Sequence, residues 1–494
     1  IDGTGGGTLT INGDADNTGN IDVTAAVNTV TLDDNFAGTG DVSVTTGDAT
    51  LTVALGTSTS SNSTTVNADA ATADKTVTLT GSDAVIVTST NADIDASAYT
   101  GAITASATTG SGATVSITTG SGADSITSGA GNDSITSGDG ADTINSGAGN
   151  DSILSGEGND RIEFLSDDLT STDVVTAGNG SADTLVITDA ATIVDADFTN
   201  ISGIEILELA DANNSVNLGS IANNNGNLTV TGGTGNDTLN LNDFDSADIT
   251  FNAGDGSGDT LSYSADSTAQ SITLTANSSG TTSGSVTGGD GTDNFTGLES
   301  IVGSSGSDTL TDGITADNTL ILTGANEGSL DGFQFSGIEN VDLAAGNDTV
   351  EFTSGDSLSG TLTGGDGTAD QLDYGSYGSA VTVNLATGAA TAVSGGNNWG
   401  ISGFESVSGS SANDTITAST SDINNLQGNG GNDTFNIQAD ALTTDDTIDG
   451  GDGSADQLTI TTADTLNDAD FTNVSNIEAL KLTGASTITL ATEF

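Results

Sequence analysis

Residues 120–164 read GSGADSITS GAGNDSITS GDGADTINS GAGNDSILS GEGNDRIEF, five copies of one nine-residue unit with no insertion between them. Each copy is GxGxDxUx, with isoleucine at U. The glycines are Gly120 and Gly122, Gly129 and Gly131, Gly138 and Gly140, Gly147 and Gly149, and Gly156 and Gly158. The aspartates are Asp124, Asp133, Asp142, Asp151 and Asp160, and the apolar positions are Ile126, Ile135, Ile144, Ile153 and Ile162. An unbroken short period of this kind is the mark of a solenoid, because each unit can bury its apolar face only against a stacked neighbour.

The flanking sequence keeps a related rhythm. Apolar-x-apolar triplets start at Leu9, Ile21, Val30, Val42 and Leu51, at steps of 12, 9, 12 and 9. Three-residue strands whose outer side chains share a face, joined by alternating long and short turns, give a coil of 21 residues with two strands. The Ser/Thr/Asn-rich stretch 57–73 interrupts the pattern and reads as an outward loop. The rhythm resumes at Val77 and Val85 and runs through Ile94, Ile103 and Ile117 into the nonapeptides without a linker.

Beyond Phe164 the units lengthen. Triplets start at Val216, Leu228, Leu239, Ile249, Leu261 and Ile272, and residues 178–209 recur at 451–482 with a constant offset of 273. Shorter echoes begin at Phe295, Phe335 and Ile401. Duplication of a stackable unit is how such chains grow.

One isoleucine per nine residues is a thin core. Its burial contributes roughly 1.5–3 kcal/mol, while each ordered residue costs roughly 1–2 kcal/mol of backbone entropy. Burial alone therefore loses, and another force must close the turns. Glycine supplies the positive φ of tight turns. A carboxylate beside outward-turned carbonyls forms an oxygen-only site suited to a hard divalent cation, calcium above all. Turn chemistry alone, with aspartate bonding its own backbone, is the competing explanation.

Composition agrees. Three basic residues face 69 acidic ones, a net charge of −66 that repels nucleic acid and anionic lipid and requires counter-cations. Cysteine and histidine are absent, which excludes disulfides, thiolate or imidazole metal sites and catalysis by a histidine base or cysteine nucleophile. No apolar run reaches the length of a transmembrane segment.

The run at 119–164 resembles the RTX family, the Gly- and Asp-rich GGxGxDxUx repeats of bacterial secreted proteins. The resemblance implies an all-β, elongated, right-handed parallel β-solenoid (a β-roll or β-helix) with two short strands per coil and several Ca²⁺ ions held between turns one coil apart. Carried over by position, it pairs Asp124 with Asp142 and Asp142 with Asp160 on one edge, and Asp133 with Asp151 on the other. The glycines of each unit, from Gly120 to Gly158, belong to the same metal sites. This chain departs from the family at the first glycine, which is Thr119, Ser128, Ser137, Ser146 or Ser155 here. If that position requires positive φ, turn geometry or affinity suffers.

Isolated downstream aspartates extend the metal assignment: Asp237, Asp293, Asp308, Asp348, Asp414 and Asp433 in GxxD or GxD contexts, and Asp183, Asp259, Asp370 and Asp456 in turns one residue longer. Asp255, Asp290, Asp366 and Asp452 are candidate extra ligands. The acidic-apolar motif around Phe198–Glu205 and Phe471–Glu478 reads as a packing corner with an exposed glutamate. Nothing singles out a catalytic carboxylate pair for glycoside cleavage, and the TxT ladder of an ice-binding face is not evident.

The chain thus reads as coils of about 21 residues over 1–118, a nonapeptide β-roll over 119–164, and longer degenerate repeats over 165–494. The expected function is non-enzymatic: a calcium-stabilised extracellular structural protein, a subunit of a surface layer, sheath or filament, self-assembling and located on or outside a bacterial cell. Resemblance to surface-layer proteins exported by type I secretion suggests this, with a cell-surface glycan as a further partner. The stalk of a secreted adhesin and the repeat portion of a secreted enzyme are the alternatives.

Overall fold

A computed structural model describes residues 8–11, 21–24, 29–32, 42–45, 51–54, 64–68, 76–82, 84–89, 92–107, 112–242, 247–276, 282–288, 291–394, 400–420, 422–483 and 487–489. It forms two compact units, Ile1–Asp237 with Phe244–Asn252, and Thr238–Asp243 with Ala253–Phe494. Both are stacks of strands two to six residues long. Among the described residues the only helical turns are the 3₁₀ segments Asp195–Phe198, Ala222–Asn225 and Asp468–Phe471, and no helix is long and apolar enough to cross a membrane.

In the first unit alternate strands join two parallel ladders, two strands to a coil. One ladder runs from Thr8–Ile11 and Thr29–Leu32 through Ser116–Thr118, Ser134–Asp139 and Ser152–Glu157 to Val174–Thr176 and Ile201–Ser202. The other runs from Ile21–Thr24 and Val42–Thr45 through Ile103–Ala107, Ser125–Thr127, Thr143–Asn145 and Arg161–Phe164 to Thr184–Ile187, Ile206–Glu208 and Leu228–Gly233. Registers give the coil lengths. Thr8 pairs with Thr29 and Ile21 with Val42, a rise of 21 residues. Ser116, Ser134 and Ser152 stack at 18. Beyond the run Ser152 meets Val174, and Arg161 meets Thr184. Val30 pairs with Val53 rather than Leu51, a shift of two that leaves the apolar face unchanged.

The stretch 57–73 is not simply an outward loop. Thr64–Ala68 is a strand between Val42–Thr45 and Val85–Ser89, with Val66 fully buried. A single valine among threonines and asparagines suffices, because a three-residue rung needs only one inward side chain. In the nonapeptides Ile126, Ile135, Ile144, Ile153 and Ile162 point inward between exposed or half-buried neighbours.

The second unit also stacks parallel rungs. One ladder links Thr319–Gly324, Thr349–Thr353, Gln371–Ser376, Ser406–Ser408, Asn425–Gln427 and Thr447–Asp449. Another links Thr382–Asn384, Thr415–Thr417, Thr434–Ile437, Gln457–Ile460 and Ala479–Leu482. Antiparallel hairpins are inserted into this stack: Ser271–Ala276 with Ser283–Thr287 and Thr292–Thr296, and Thr319–Gly324 with Glu327–Leu330 and Phe333–Ser336. They enlarge the coils, and aromatic rings fill the added width. Phe352 stacks on Tyr374 at 4.5 Å and Phe295 on Phe333 at 6.3 Å. Such rings contribute large buried area and a further stacking attraction.

Candidate metal centre

Stacking places the turns of successive coils directly over one another, so each repeated aspartate meets its counterpart one coil away. The backbone N–H of Ile103 donates to Asp124 Oδ1 (2.8 Å), that of Asp124 to Asp142 (2.8 Å), that of Asp142 to Asp160 (2.9 Å) and that of Asp160 to Asp183 (2.8 Å). On the other edge the N–H of Val115 donates to Asp133 (2.9 Å), that of Asp133 to Asp151 (2.8 Å) and that of Asp151 to Asp173 (2.8 Å). The inter-coil pairs expected from the repeat are therefore brought together. Side chain meets backbone, so each aspartate both ties down the coil before it and is tied by the coil after it.

The glycines make this approach possible. Gly149 has φ +145°, and a Cβ there would lie 1.5 Å from the Gly131 carbonyl oxygen; a Cβ at Gly158 would lie equally close to that of Gly140. Gly120, Gly122, Gly131, Gly138, Gly140, Gly147 and Gly156 likewise face backbone of the preceding coil within 2.2 Å of a Cβ position. Gly129 takes φ +105°.

The family's first-glycine position needs no positive φ here, since Thr119, Ser128, Ser137, Ser146 and Ser155 are not among the residues that adopt it. The hydroxyls instead build a second ladder: Thr119 donates to the Ser137 carbonyl, Ser128 to Ser146, Ser137 to Ser155 and Ser155 to Ala177, each at 2.7 Å. The expected harm to the turn is thus replaced by an added inter-coil bond.

The carboxylates are left in deficit. Asp124, Asp133, Asp142, Asp151 and Asp160 are at most 3% exposed, and the Oδ2 atom of each is buried without a hydrogen-bond partner. The same holds for Asp183, Asp348, Asp370, Asp433 and Asp456. Burial pushes Asp142 and Asp151 from 3.8 up to about 6, and neighbouring ladder charges, Asp124 and Asp160 in one case and Asp133 and Asp173 in the other, add to the rise. Burial likewise raises Asp124, Asp183 and Asp370, and lifts Asp348 and Asp433 to about 6. No arginine relieves this. Arg161 is engaged by Glu163 (2.8 Å) and Glu208 (2.7 Å), the ion pairs found among the described residues.

An orphaned carboxylate oxygen beside a glycine turn of stacked carbonyls fits a hard cation with oxygen ligands. Among the described residues no three carboxylates gather at one point, so turn carbonyls must complete the shell. Calcium there would neutralise the stacked charges and occupy the free Oδ2 positions.

The other assigned residues divide. Asp237 accepts the N–H of Asn214 (2.9 Å) and extends the first unit's ladder. The N–H of Asp348 donates to Asp370 and that of Asp433 to Asp456, both at 2.7 Å. The N–H of Asp259 donates to Glu299 Oε2 (2.9 Å). Asp308 and Asp414 sit in the ladder, but their second oxygens are used locally: Ser304 N–H reaches Asp308 Oδ2 and Ser410 N–H reaches Asp414 Oδ2, both at 2.6 Å. These two are satisfied by turn chemistry. Asp293 lies outside the ladder, on the hairpin strand Thr292–Thr296, where it accepts the Tyr263 hydroxyl at 2.8 Å. Asp290 falls outside the described residues.

Sequence reasoning missed Asp173 and the glutamates. Glu205, Glu299, Glu339, Glu405 and Glu478 are not idle corners: each accepts through Oε2 the N–H of a ladder aspartate, Asp183, Asp259, Asp308, Asp370 or Asp456, at 2.8–3.0 Å. Their recurrence after an apolar residue was the available signal.

No curated protein matches the chain. The RTX calcium-binding nonapeptide repeat (4 copies) matches residues 118–153, 136–168 and 224–244, the segments that carry the aspartate ladder from Asp124 to Asp160 and Asp237. With Ca²⁺ as the ion of these turns, the chain belongs among the proteins built on RTX calcium-binding repeats.

Proposed function

We propose that this protein is a calcium-stabilised extracellular structural protein, a subunit of a surface layer, sheath or filament, exported to a calcium-rich medium and without catalytic activity. The observation that carries the reading is the recurrence of one device. Backbone N–H groups donate to carboxylates one coil away from Ile103 to Glu205 in the first unit and from Asp259 to Glu478 in the second. Acidic side chains that would serve an enzyme are committed instead to holding the coils. RTX-repeat proteins are typically secreted, and a millimolar calcium medium supplies the counter-cations that −66 charges demand.

Electron microscopy of the purified chain tests this. In millimolar Ca²⁺ it should form sheets or filaments that chelation disperses. Single dispersed particles under every calcium concentration would contradict assembly. Saturable binding to a defined glycan by such dispersed particles would favour the adhesin stalk.

A further inference from the structure

The glutamate rungs are built to one plan. The N–H of Asp183 donates to Glu205 Oε2, while the N–H groups of Glu205 and Ile206 both return to the Asp183 carbonyl at 3.1 and 3.0 Å. Asp370 receives Glu405 and Ser406 at 3.1 and 2.9 Å, and Asp456 receives Glu478 and Ala479 at 3.0 and 2.9 Å. In each clamp the glutamate carboxylate holds the place that a ladder aspartate holds in the nonapeptides. Asp183, Asp370 and Asp456 are all 0% exposed, and each has an Oδ2 atom without a partner. Each carboxylate also folds over its own turn glycine: a Cβ at Gly180, Gly367 or Gly453 would lie 2.4, 2.2 or 2.1 Å from that Oδ2. Two acids meet, with one oxygen buried and unanswered, and the Asp370 charge opposes ionisation of Glu405.

We propose that Asp183 with Glu205, Asp370 with Glu405 and Asp456 with Glu478 form cation sites of a second kind, each taking one hard divalent ion, calcium in a calcium-rich medium. The glutamate arrives from the apolar-x-x-apolar-Glu corner rather than from a Gly-Asp turn, so these sites lie outside the nonapeptide segments. The pair Asp308 and Glu339 has the same clamp but takes no ion, because Ser304 already occupies both Asp308 oxygens, its N–H at Oδ2 (2.6 Å) and its hydroxyl at Oδ1 (2.8 Å). The inference rests on calcium occupying the turns and is independent of assembly.

The test counts ions on the full chain by equilibrium dialysis and metal analysis at saturating Ca²⁺. The triple variant Glu205→Gln, Glu405→Gln, Glu478→Gln keeps an acceptor for each aspartate N–H and should bind three fewer ions than the native chain. Glu339→Gln should bind the native number. An unchanged count in the triple variant would reduce the glutamates to hydrogen-bond acceptors and overturn the proposal, as would an equal loss in Glu339→Gln. Should the triple variant fail to fold, Glu405→Gln alone should lose one ion, and a terbium-soaked crystal of the native protein should show an anomalous peak between Asp370 and Glu405; no peak there overturns it. A native chain that binds no calcium would instead refute the calcium reading itself.

Discussion

The nonapeptide run and the long coils of the second unit solve the same stacking problem with different materials. A coil of the run has 18 residues and two inward isoleucines, such as Ile135 and Ile144. Its carboxylates stand one above another with an oxygen each unanswered. The long coils insert hairpins, bury Phe295, Phe333, Phe352, Tyr374 and Phe435, and satisfy several of their aspartates with serine. Where the core is thin the ion must hold the turns, and where the core thickens the ladder is increasingly answered by the chain itself. Each calcium held at 100-fold its dissociation constant contributes about 2.7 kcal/mol, comparable with one buried aliphatic side chain.

The largest effect that would sharpen this contrast comes from filling a turn. Gly149→Ala combines a Cβ 1.5 Å from the Gly131 carbonyl oxygen with a φ of +145°. Overpacking and backbone strain together should cost about 2–6 kcal/mol. Gly332→Ala in the second unit has φ +95° but nothing within 4 Å of its Cβ, so strain alone, about 1–3 kcal/mol, should remain. Denaturant melts in millimolar Ca²⁺ compare them, and equal losses would show that inter-coil contact does not set the demand for glycine.

Next come the acceptors. Asp142→Ala leaves the Asp124 N–H without its partner, a loss of about 1–3 kcal/mol, and removes a calcium ligand as well. Its penalty should be larger in calcium than in chelator. Asp308→Ala strips acceptors from Gln270 and Ser304 and should cost the same in both. A calcium-independent penalty at Asp142 would break the distinction between ion-answered and serine-answered rungs.

The smallest effect is that of pH. In chelator, Asp142 and Asp151 of the run and Asp348 and Asp433 of the second unit titrate near 6 when folded, above the ordinary 3.8. The folded chain therefore binds protons more tightly than the unfolded chain. The contribution to stability is fully present below pH 3.8, falls as pH rises from there to about 6, and is absent above. Acidifying the chelated protein from pH 7 to 5 should raise its melting temperature. With calcium present the sign reverses, because protons compete with the ion for the same oxygens. Circular dichroism melts at the two pH values read both signs.

Much of this was legible in the residues. Strand positions followed the apolar triplets from Leu9 to Ile272, and the pairing of Asp124 with Asp142 followed from the period. The rest depended on long-range geometry. Glu205 and Glu478 lie 22 residues from their aspartates, but Glu299 lies 40, Glu339 31 and Glu405 35 away. Inserted hairpins erase any fixed spacing there, since their length is free while the stacked register is not. The serines misled for another reason. Their sequence position suggested a lost glycine, whereas their hydroxyls reach a carbonyl one coil away, a partner that local sequence does not show.

Region-resolved hydrogen exchange with and without calcium tests the central claim most directly. On chelation, amides of 119–164 should lose protection by about 100-fold or more per ion released, while those of 349–376, around the stacked Phe352 and Tyr374, should keep most of theirs. Protection of 119–164 that survives chelation unchanged would contradict the account, because nothing else in the run answers its buried carboxylates.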